Sequence, residues 1–244
     1  MPIRVIIHSF STPEENISAE EFFFLARANS CENDVLRIWE SNDYFVVLGS
    51  SQVVSEEVFF ENCTSCNIKV LRRCSAGGAV LQGPGCVNFS LSLNLERHPY
   101  LRNIRESYNI LLSSLGKTLN NKWQINTTID GISDLCYKGK KVSGNAQRRN
   151  SKVLLHHGTL LYKVNYELME SVLRIPNSQP DYRANRIHRD FVGHLPITKE
   201  ELIDAILSTF AVDGFLSTLT EEEIIGIQNL AFSKYTNPTW NLKR

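Results

Sequence analysis

Three short segments of the chain carry side chains that could do chemistry. The first is Arg72-Arg73-Cys74-Ser75-Ala76-Gly77-Gly78-Ala79-Val80. Two guanidinium groups end a strand-like run, and small residues follow. Glycine lets backbone N–H groups approach a ligand closely, and the guanidinium fork matches a carboxylate or a phosphate. No Gly-Lys-Ser/Thr closes the segment and a strand rather than a helix follows, so it is neither a Walker loop nor a dinucleotide fingerprint. A tight turn with two solvated arginines has the same composition. The second segment is Ser133-Asp134-Leu135 with Lys140-Lys141-Val142-Ser143-Gly144-Asn145-Ala146. A lysine on a strand, flanked by Gly and Ser, can set its ammonium over a phosphate where charge develops. Lys140 and Lys141 are neighbours and point to opposite faces, so only one can serve; a solvated edge lysine is the ordinary alternative. The third is His156-His157-Gly158-Thr159. Adjacent histidines on a strand diverge and make a poor metal pair, and a single inward histidine is either a base or a satisfied core group.

These segments must be positioned by regular elements, and the hydrophobic pattern indicates which. Residues 4–8 alternate as a strand. Pro13 opens a helix whose apolar face is Phe22, Phe23, Leu25 and Ala26. Strands are expected over 35–39 and 44–48, joined as a hairpin by Glu40-Ser41-Asn42-Asp43. A short helix over 55–62, a strand over 68–72, a strand over 87–95 and a helix over 104–119 follow. Strands over 135–137, 141–143 and 153–162 come next, the first two joined by the tight turn Lys138-Gly139-Lys140. A helix covers 166–173. The stretch 176–196, broken by Pro176, Pro180 and Pro196, reads as a boundary or a surface loop. Two helices, over 199–210 and 221–234, close the chain, each with a Thr N-cap and acid in its first turn. Strands joined by short turns, with few helices between, argue for an α+β fold of mixed sheets packed with helices.

Composition excludes more than it assigns. The chain has 244 residues, 26 Lys+Arg and 26 Asp+Glu, and 42% hydrophobic residues, an ordinary globular balance that leaves no overall basic field for nucleic acid or a membrane surface. No apolar run is long enough to span a bilayer and no signal-peptide pattern opens the chain, so the expected location is the cytoplasm. The six cysteines (Cys31, Cys63, Cys66, Cys74, Cys86 and Cys136) are scattered, as in reduced proteins. The lone Cys63-Thr64-Ser65-Cys66 lacks the further ligands that zinc needs.

Taken together, the order and spacing of the three segments resemble the lipoate–protein ligase A branch of the biotin/lipoate protein ligase catalytic domains, from about Tyr44 to Asn241. The matching signatures are Arg72 to Val80, Ser133-Asp134-Leu135 with Lys141 to Ala146, and His156-His157-Gly158-Thr159-Leu160-Leu161. Asp190-Phe191-Val192, Lys234-Tyr235 and Trp240-Asn241 look alike too. The resemblance implies a class II biotin/lipoyl ligase-like fold and a two-step reaction. Lipoate and ATP give lipoyl-AMP, and a lysine of an apo lipoyl domain then takes the acyl group. The acceptor would be the E2 subunit of a 2-oxoacid dehydrogenase or the glycine cleavage H protein. By that resemblance Lys141 is the catalytic lysine, and Arg72, Ser75, Gly77, Gly78 and Ala79 form the loop lining the acyl tunnel and phosphate. Asp134 is the adenylate-side acid, on which Mg2+ would rest. Ser143, Ala146, His157, Gly158 and Thr159 line the pocket.

Ala76, Gln82 and Ser50 depart from the usual pattern. Only three residues follow Asn241, so the expectation is one catalytic domain over 1–244, with the helices of about 198–236 as part of it and no C-terminal accessory domain. Either the chain adenylates alone, or a separate accessory protein assists, or it performs only transfer from preformed lipoyl-AMP. An octanoyltransferase of the same fold would need a nucleophilic cysteine, and none stands at the expected position. A non-catalytic module that binds lipoyl-adenylate or lipoyl domains is a third reading. A biotin ligase ranks last, because its Gly-Arg-Gly-Arg-x-Gly-Arg loop is missing.

Overall fold

The computed structural model describes residues 2–29 and 33–243; Cys31 lies outside the described residues. The elements are β1 (Arg4–Ile7), α1 (Pro13–Asn29), β2 (Val35–Trp39), β3 (Phe45–Leu48), α2 (Val54–Glu57), α3 (Phe60–Ser65), β4 (Lys69–Arg72), β5 (Val80–Gln82), β6 (Cys86–Asn94), α4 (Ile104–Trp123), β7 (Thr127–Asp130), β8 (Asp134–Tyr137), β9 (Lys140–Arg149), β10 (Val153–Leu161), α5 (Tyr166–Val172), α6 (His188–Phe191), α7 (Lys199–Phe210), β11 (Phe215–Leu216), α8 (Glu221–Leu230) and α9 (Pro238–Asn241). Eight strands form one mixed sheet in the order β11-β1-β2-β6-β10-β9-β8-β7, and a second sheet has the order β4-β3-β5. This is the expected α+β arrangement.

Alternation on the central strands divides the large sheet into two chemical faces. Leu36, Ile38, Phe89, Leu91, Leu93, Leu154 and Leu160 point to one face and pack on Tyr108, Leu111, Leu112 and Leu115 of α4 and on Leu202 and Ile206 of α7. Each such buried side chain contributes about 1.5–3 kcal/mol by leaving water. Both closing helices start with the expected device: Thr198 and Thr220 each cap a helix through a reciprocal box with Glu201 and Glu223. The second of them ends at Leu230 and continues as a π-helical turn, Ala231–Tyr235.

Several expectations change. Residues 40–43 do not make a hairpin, because β2 and β3 lie in different sheets. Every residue of both strands is buried, so neither shows the alternation that would have revealed its partner. The single helix over 55–62 is two short helices, parted at Val58, which takes an extended conformation and bridges Leu173. On α1 it is Phe23 and Phe24 that are buried, whereas Leu25 is exposed. The stretch 176–196 is no boundary: Val192 bridges the β9 backbone at Lys141, and the Gly193 N–H donates to Lys141 O at 2.8 Å.

His156 sits on the core face, fully buried between Phe89 and Tyr108. Its Nδ1 accepts from Gln147 Nε2 at 3.1 Å, and no described residue partners Nε2. Burial, then the charges of His157 and Arg149, push its pKa down to about 3. The neutral form is therefore the one that folds, and stability falls as pH drops below the unfolded value of about 6.5. His8 and His188 are shifted in the same direction, each first by burial. His156→Phe is expected to flatten the slope of unfolding free energy between pH 6.5 and 4.5 by roughly 1.4 kcal/mol per pH unit. Urea melts across that window read it, and an unchanged slope would contradict the assignment.

Candidate active site

The polar face of the large sheet meets α1 and the small sheet, and the cleft opens there. The turn Lys138-Gly139 has φ of 51° and 74°, the left-handed values that reverse a two-residue hairpin and launch β9. The register then shifts: Cys136 pairs with Lys141 but Leu135 pairs with Ser143, leaving Val142 as the extra residue of a bulge. Val142 turns into the core and Lys141 into the cleft. The Lys141 ammonium lies 2.9 Å from Asp134 Oδ1, and the Tyr182 hydroxyl donates to Asp134 Oδ2 at 2.6 Å. Burial and the Asp134 charge raise the Tyr182 pKa, which keeps that donor protonated. Lys140 points the other way and donates to Arg189 O. A Cβ on Gly144 would sit 2.9 Å from Lys141 Cε and 3.0 Å from Nζ, so the glycine makes room for the lysine tip.

Two spaces meet at this lysine. A narrow slot of about 130 Å³ runs between Ile17, Trp39, Val47 and Val80, with Glu20, Arg73 and His157 among its polar lining. A wider chamber of about 560 Å³ is bounded by Leu81, Leu161, Met169, Leu173, Phe191 and Val192, with Arg174, Arg183 and His188 among its polar lining. That size is ordinary for a small-molecule site. Gly78, Ala79, Val80, Ser133, Asp134, Lys141, Gly144 and Thr159 border both.

Behind the slot runs a buried hydrogen-bonded chain. Trp39 Nε1 donates to Glu20 Oε1 at 3.1 Å, and Glu20 Oε2 accepts from His157 Nδ1 at 2.5 Å. His157 Nε2 meets Ser75 Oγ at 2.6 Å, and Arg73 Nε donates to the same hydroxyl at 3.0 Å. Burial acts to raise the Glu20 pKa, but the charge and hydrogen bond of His157, with Arg37 and the indole, outweigh it, and the carboxyl titrates below its ordinary value. Burial lowers Arg73 to about 10, still a cation at neutral pH. The chain fixes the ring of His157 and the fork of Arg73 at the slot, a preorganisation suited to an anion.

Of the residues expected from sequence, Gly77, Gly78, Ala79, Asp134, Lys141, Ala146, His157, Gly158 and Thr159 line the cleft. Ser75 is buried in the chain just described. Ser143 is also buried, its hydroxyl accepting from Asn145 Nδ2 at 3.0 Å. Arg72 is a correction. Its guanidinium is fully buried away from the cleft, donating to backbone carbonyls of Gly49, Gln52, Trp240, Asn241 and Lys243. Its neighbour Arg73 takes the place in the slot. Neighbouring residues at a strand end face opposite ways, so the pair of arginines did not say which one enters. Glu20, Trp39 and Tyr182 were missed, and none of the three carries a local signal; Arg73 was visible only as one of the two arginines that end a strand.

Both oxygens of Asp134 are engaged, by Lys141 and by Tyr182, and among the described residues no group of three or more His, Cys, Asp or Glu side chains could hold an ion.

The sequence profile of the lipoyl protein ligase A/B catalytic domain matches residues 12–211. The chain belongs to this family. This lipoyl ligase-family protein is 28% identical to lipoate-protein ligase A of Blochmanniella floridana, over 100% of its own chain and 71% of the relative. It is 25% identical to octanoyltransferase LipM of Brevibacillus brevis over 99% of both chains. Among solved structures, the bipartite lipoate protein ligase of Thermoplasma acidophilum superposes with a TM-score of 0.83 at 21% identity, covering 100% of this chain and 98% of that one. A lipoate-protein ligase A bound with ATP gives 0.83 at 20% identity, covering 99% of each. The fold is thus that of the lipoate ligases, and the chain is an enzyme of the lipoate ligase and transferase family. Among the described residues no helix is long and apolar enough to cross a membrane.

Proposed function

We propose that this protein is an ATP-dependent lipoate–protein ligase that forms lipoyl-AMP and passes the acyl group to a lysine of an apo lipoyl domain, the E2 domain foremost. The observation that carries the reading is the position of Lys141 at the junction of slot and chamber. An acyl chain in the slot brings its carboxylate to the junction, and a nucleotide in the chamber brings its α-phosphate to the same place. A carboxylate is a poor electrophile and gains a leaving group only as a mixed anhydride with AMP. The Lys141 ammonium offsets the charge that develops on the phosphate oxygens, and later on the acyl oxygen as the acceptor amine attacks. Arg73, which donates to Ser75, is a second cation lining the slot. Site residues Gly77, Gly78 and Ala79 would let backbone approach the adenylate.

The second reading, an acyl transferase, is favoured by the end-to-end match with octanoyltransferase LipM. Transfer through a thioester requires a reactive thiolate. Burial pushes Cys74 up to about 11 and Cys86 and Cys136 up to about 12, so at neutral pH these thiols near the motifs stay protonated. The ligase reading needs no thiol.

The deciding experiment incubates the protein with an apo lipoyl domain and one of three donors: lipoate plus ATP, lipoyl-AMP, or octanoyl-acyl carrier protein. The acceptor mass is then read. A lipoyl shift with lipoate plus ATP is expected. Product from lipoyl-AMP alone would make the chain a transferase without activation, and product from the carrier-protein donor alone would establish the second reading. No product from any donor would leave a binding module.

A further inference from the structure

The lining of the chamber holds, besides Lys141, a buried cation that the proposed reaction has not yet used. Arg183 closes the 3-10 turn Asp181–Arg183, is 5% exposed and lines the chamber. One edge of its guanidinium is fixed. Nε donates to Arg186 O at 3.1 Å, and Nη2 donates to His188 Nδ1 at 3.4 Å. Its carbon lies 4.6 Å from the centre of the Phe191 ring. His188 is itself fixed, with Nε2 donating to Arg174 O at 3.2 Å, which leaves Nδ1 as the acceptor for Arg183. Among the described residues no carboxylate lies within ion-pairing distance of Arg183, and Nη1 has no acceptor.

The acids nearby do not neutralise it. Glu57 lines the same chamber but makes no ion pair with Arg183, and burial raises its pKa against a hydrogen bond from Gln52. Asp181 is exposed. Asp134 is committed to Lys141 and Tyr182. A buried guanidinium without an anion is costly, since the desolvation of the charge goes uncompensated. Held by one edge, stacked on a ring and open at Nη1, it is instead prepared for an anion that enters from solution. The guanidinium fork favours phosphate.

Resting on the ligase reading, we propose that Arg183 binds the terminal phosphates of the nucleotide and holds the departing pyrophosphate. In the step it serves, a lipoate carboxylate oxygen bonds to the α-phosphorus, the bond from that phosphorus to the bridging oxygen of the β-phosphate breaks, and the electron pair leaves on pyrophosphate. No proton moves. Lys141 faces the α-phosphate and Arg183 the leaving group. The same short turn braces both, because Tyr182 holds Asp134, which holds Lys141, while the adjacent Arg183 reaches the chamber. Arg183 is therefore specific to activation and idle in transfer.

That separation sets the test. Two half-reactions are measured on the full chain: lipoate-dependent exchange of pyrophosphate into ATP, and transfer from synthetic lipoyl-AMP to an apo lipoyl domain. Arg183→Gln is expected to raise the KM for ATP by about 10- to 100-fold and to slow exchange, while transfer stays within about twofold of wild type. Arg183→Lys keeps the charge without the fork and is expected to fall between them. The conserved transfer rate also reports that the variants are folded. An unchanged ATP KM in Arg183→Gln, or equal loss of both half-reactions in both variants, overturns the assignment. A wild-type protein that transfers from lipoyl-AMP but never exchanges pyrophosphate would instead overturn the ligase reading, and this assignment with it.

Discussion

Lys141→Ala is expected to cut lipoyl transfer by about 100- to 1,000-fold while leaving the melting temperature almost unchanged. The two halves of that expectation have separate causes. Lys141 is one donor aimed where charge develops, and removing one such donor ordinarily costs that much. Its side chain is 26% exposed, so the pair with Asp134 contributes little to stability. Asp134 also keeps its bond from Tyr182 when the lysine is gone. Lys141→Arg is not expected to rescue activity. The space beside Gly144 fits an ammonium at 3.0 Å from where a Cβ would be, and a planar guanidinium is bulkier. Rates from the acceptor mass shift, with thermal melts of each variant, check both halves. A fully active Lys141→Ala protein would remove the mechanism.

Lys141 was singled out by the resemblance of its motif. Alternation said only that Lys140 and Lys141 face opposite ways, and the fold turns Lys141 into the cleft and Lys140 toward Arg189 O. The outline of the large sheet was legible from local pattern: 87–95 alternates onto one face, 153–162 reads as a strand, and both Thr caps announce their helices. What stayed hidden depends on contacts distant in sequence. Glu20 and His157 are 137 residues apart, and one acid among Glu14, Glu15, Glu20 and Glu21 gives no sign that it will be buried. The strands β2 and β3 are buried on both faces, so their apolar runs specify burial but not partner. The outer chamber was illegible too, because residues 176–196 look like a polar connection. Their role depends on Val192 and Gly193 docking along β9 at Lys141.

Arg72→Ala is expected to destabilise the fold by about 3–5 kcal/mol, a drop on the order of 10 °C in melting temperature for a chain of this size. The reason is that Arg72, at the end of β4, ties two other pieces of chain together. Its Nη1 donates to Gly49 O at 2.8 Å and to Gln52 O at 2.7 Å, in the turn that leaves β3. Its Nε reaches Trp240 O and Asn241 O, each at 3.2 Å, and Nη2 reaches Lys243 O at 2.7 Å, beyond α9. The backbone of the same residue completes the latch, its N–H donating to Asn241 Oδ1 and its carbonyl accepting from Trp240 Nε1. Truncation would leave several buried carbonyls without donors, each costing about 1–3 kcal/mol in place of the modest gain of a made bond. Lysine cannot substitute, because five fixed N–H groups meet acceptors in several directions and an ammonium offers three. The loss should extend to activity by a physical route: the Ser50 N–H donates to Ser75 O at 2.8 Å, and Gly77 O lies where a Cβ on Gly49 would be. The turn that Arg72 secures is therefore the backing of the loop that carries Ser75 and Gly77. A variant that melts like wild type yet fails to use lipoate would return Arg72 to the site, where the family resemblance first put it.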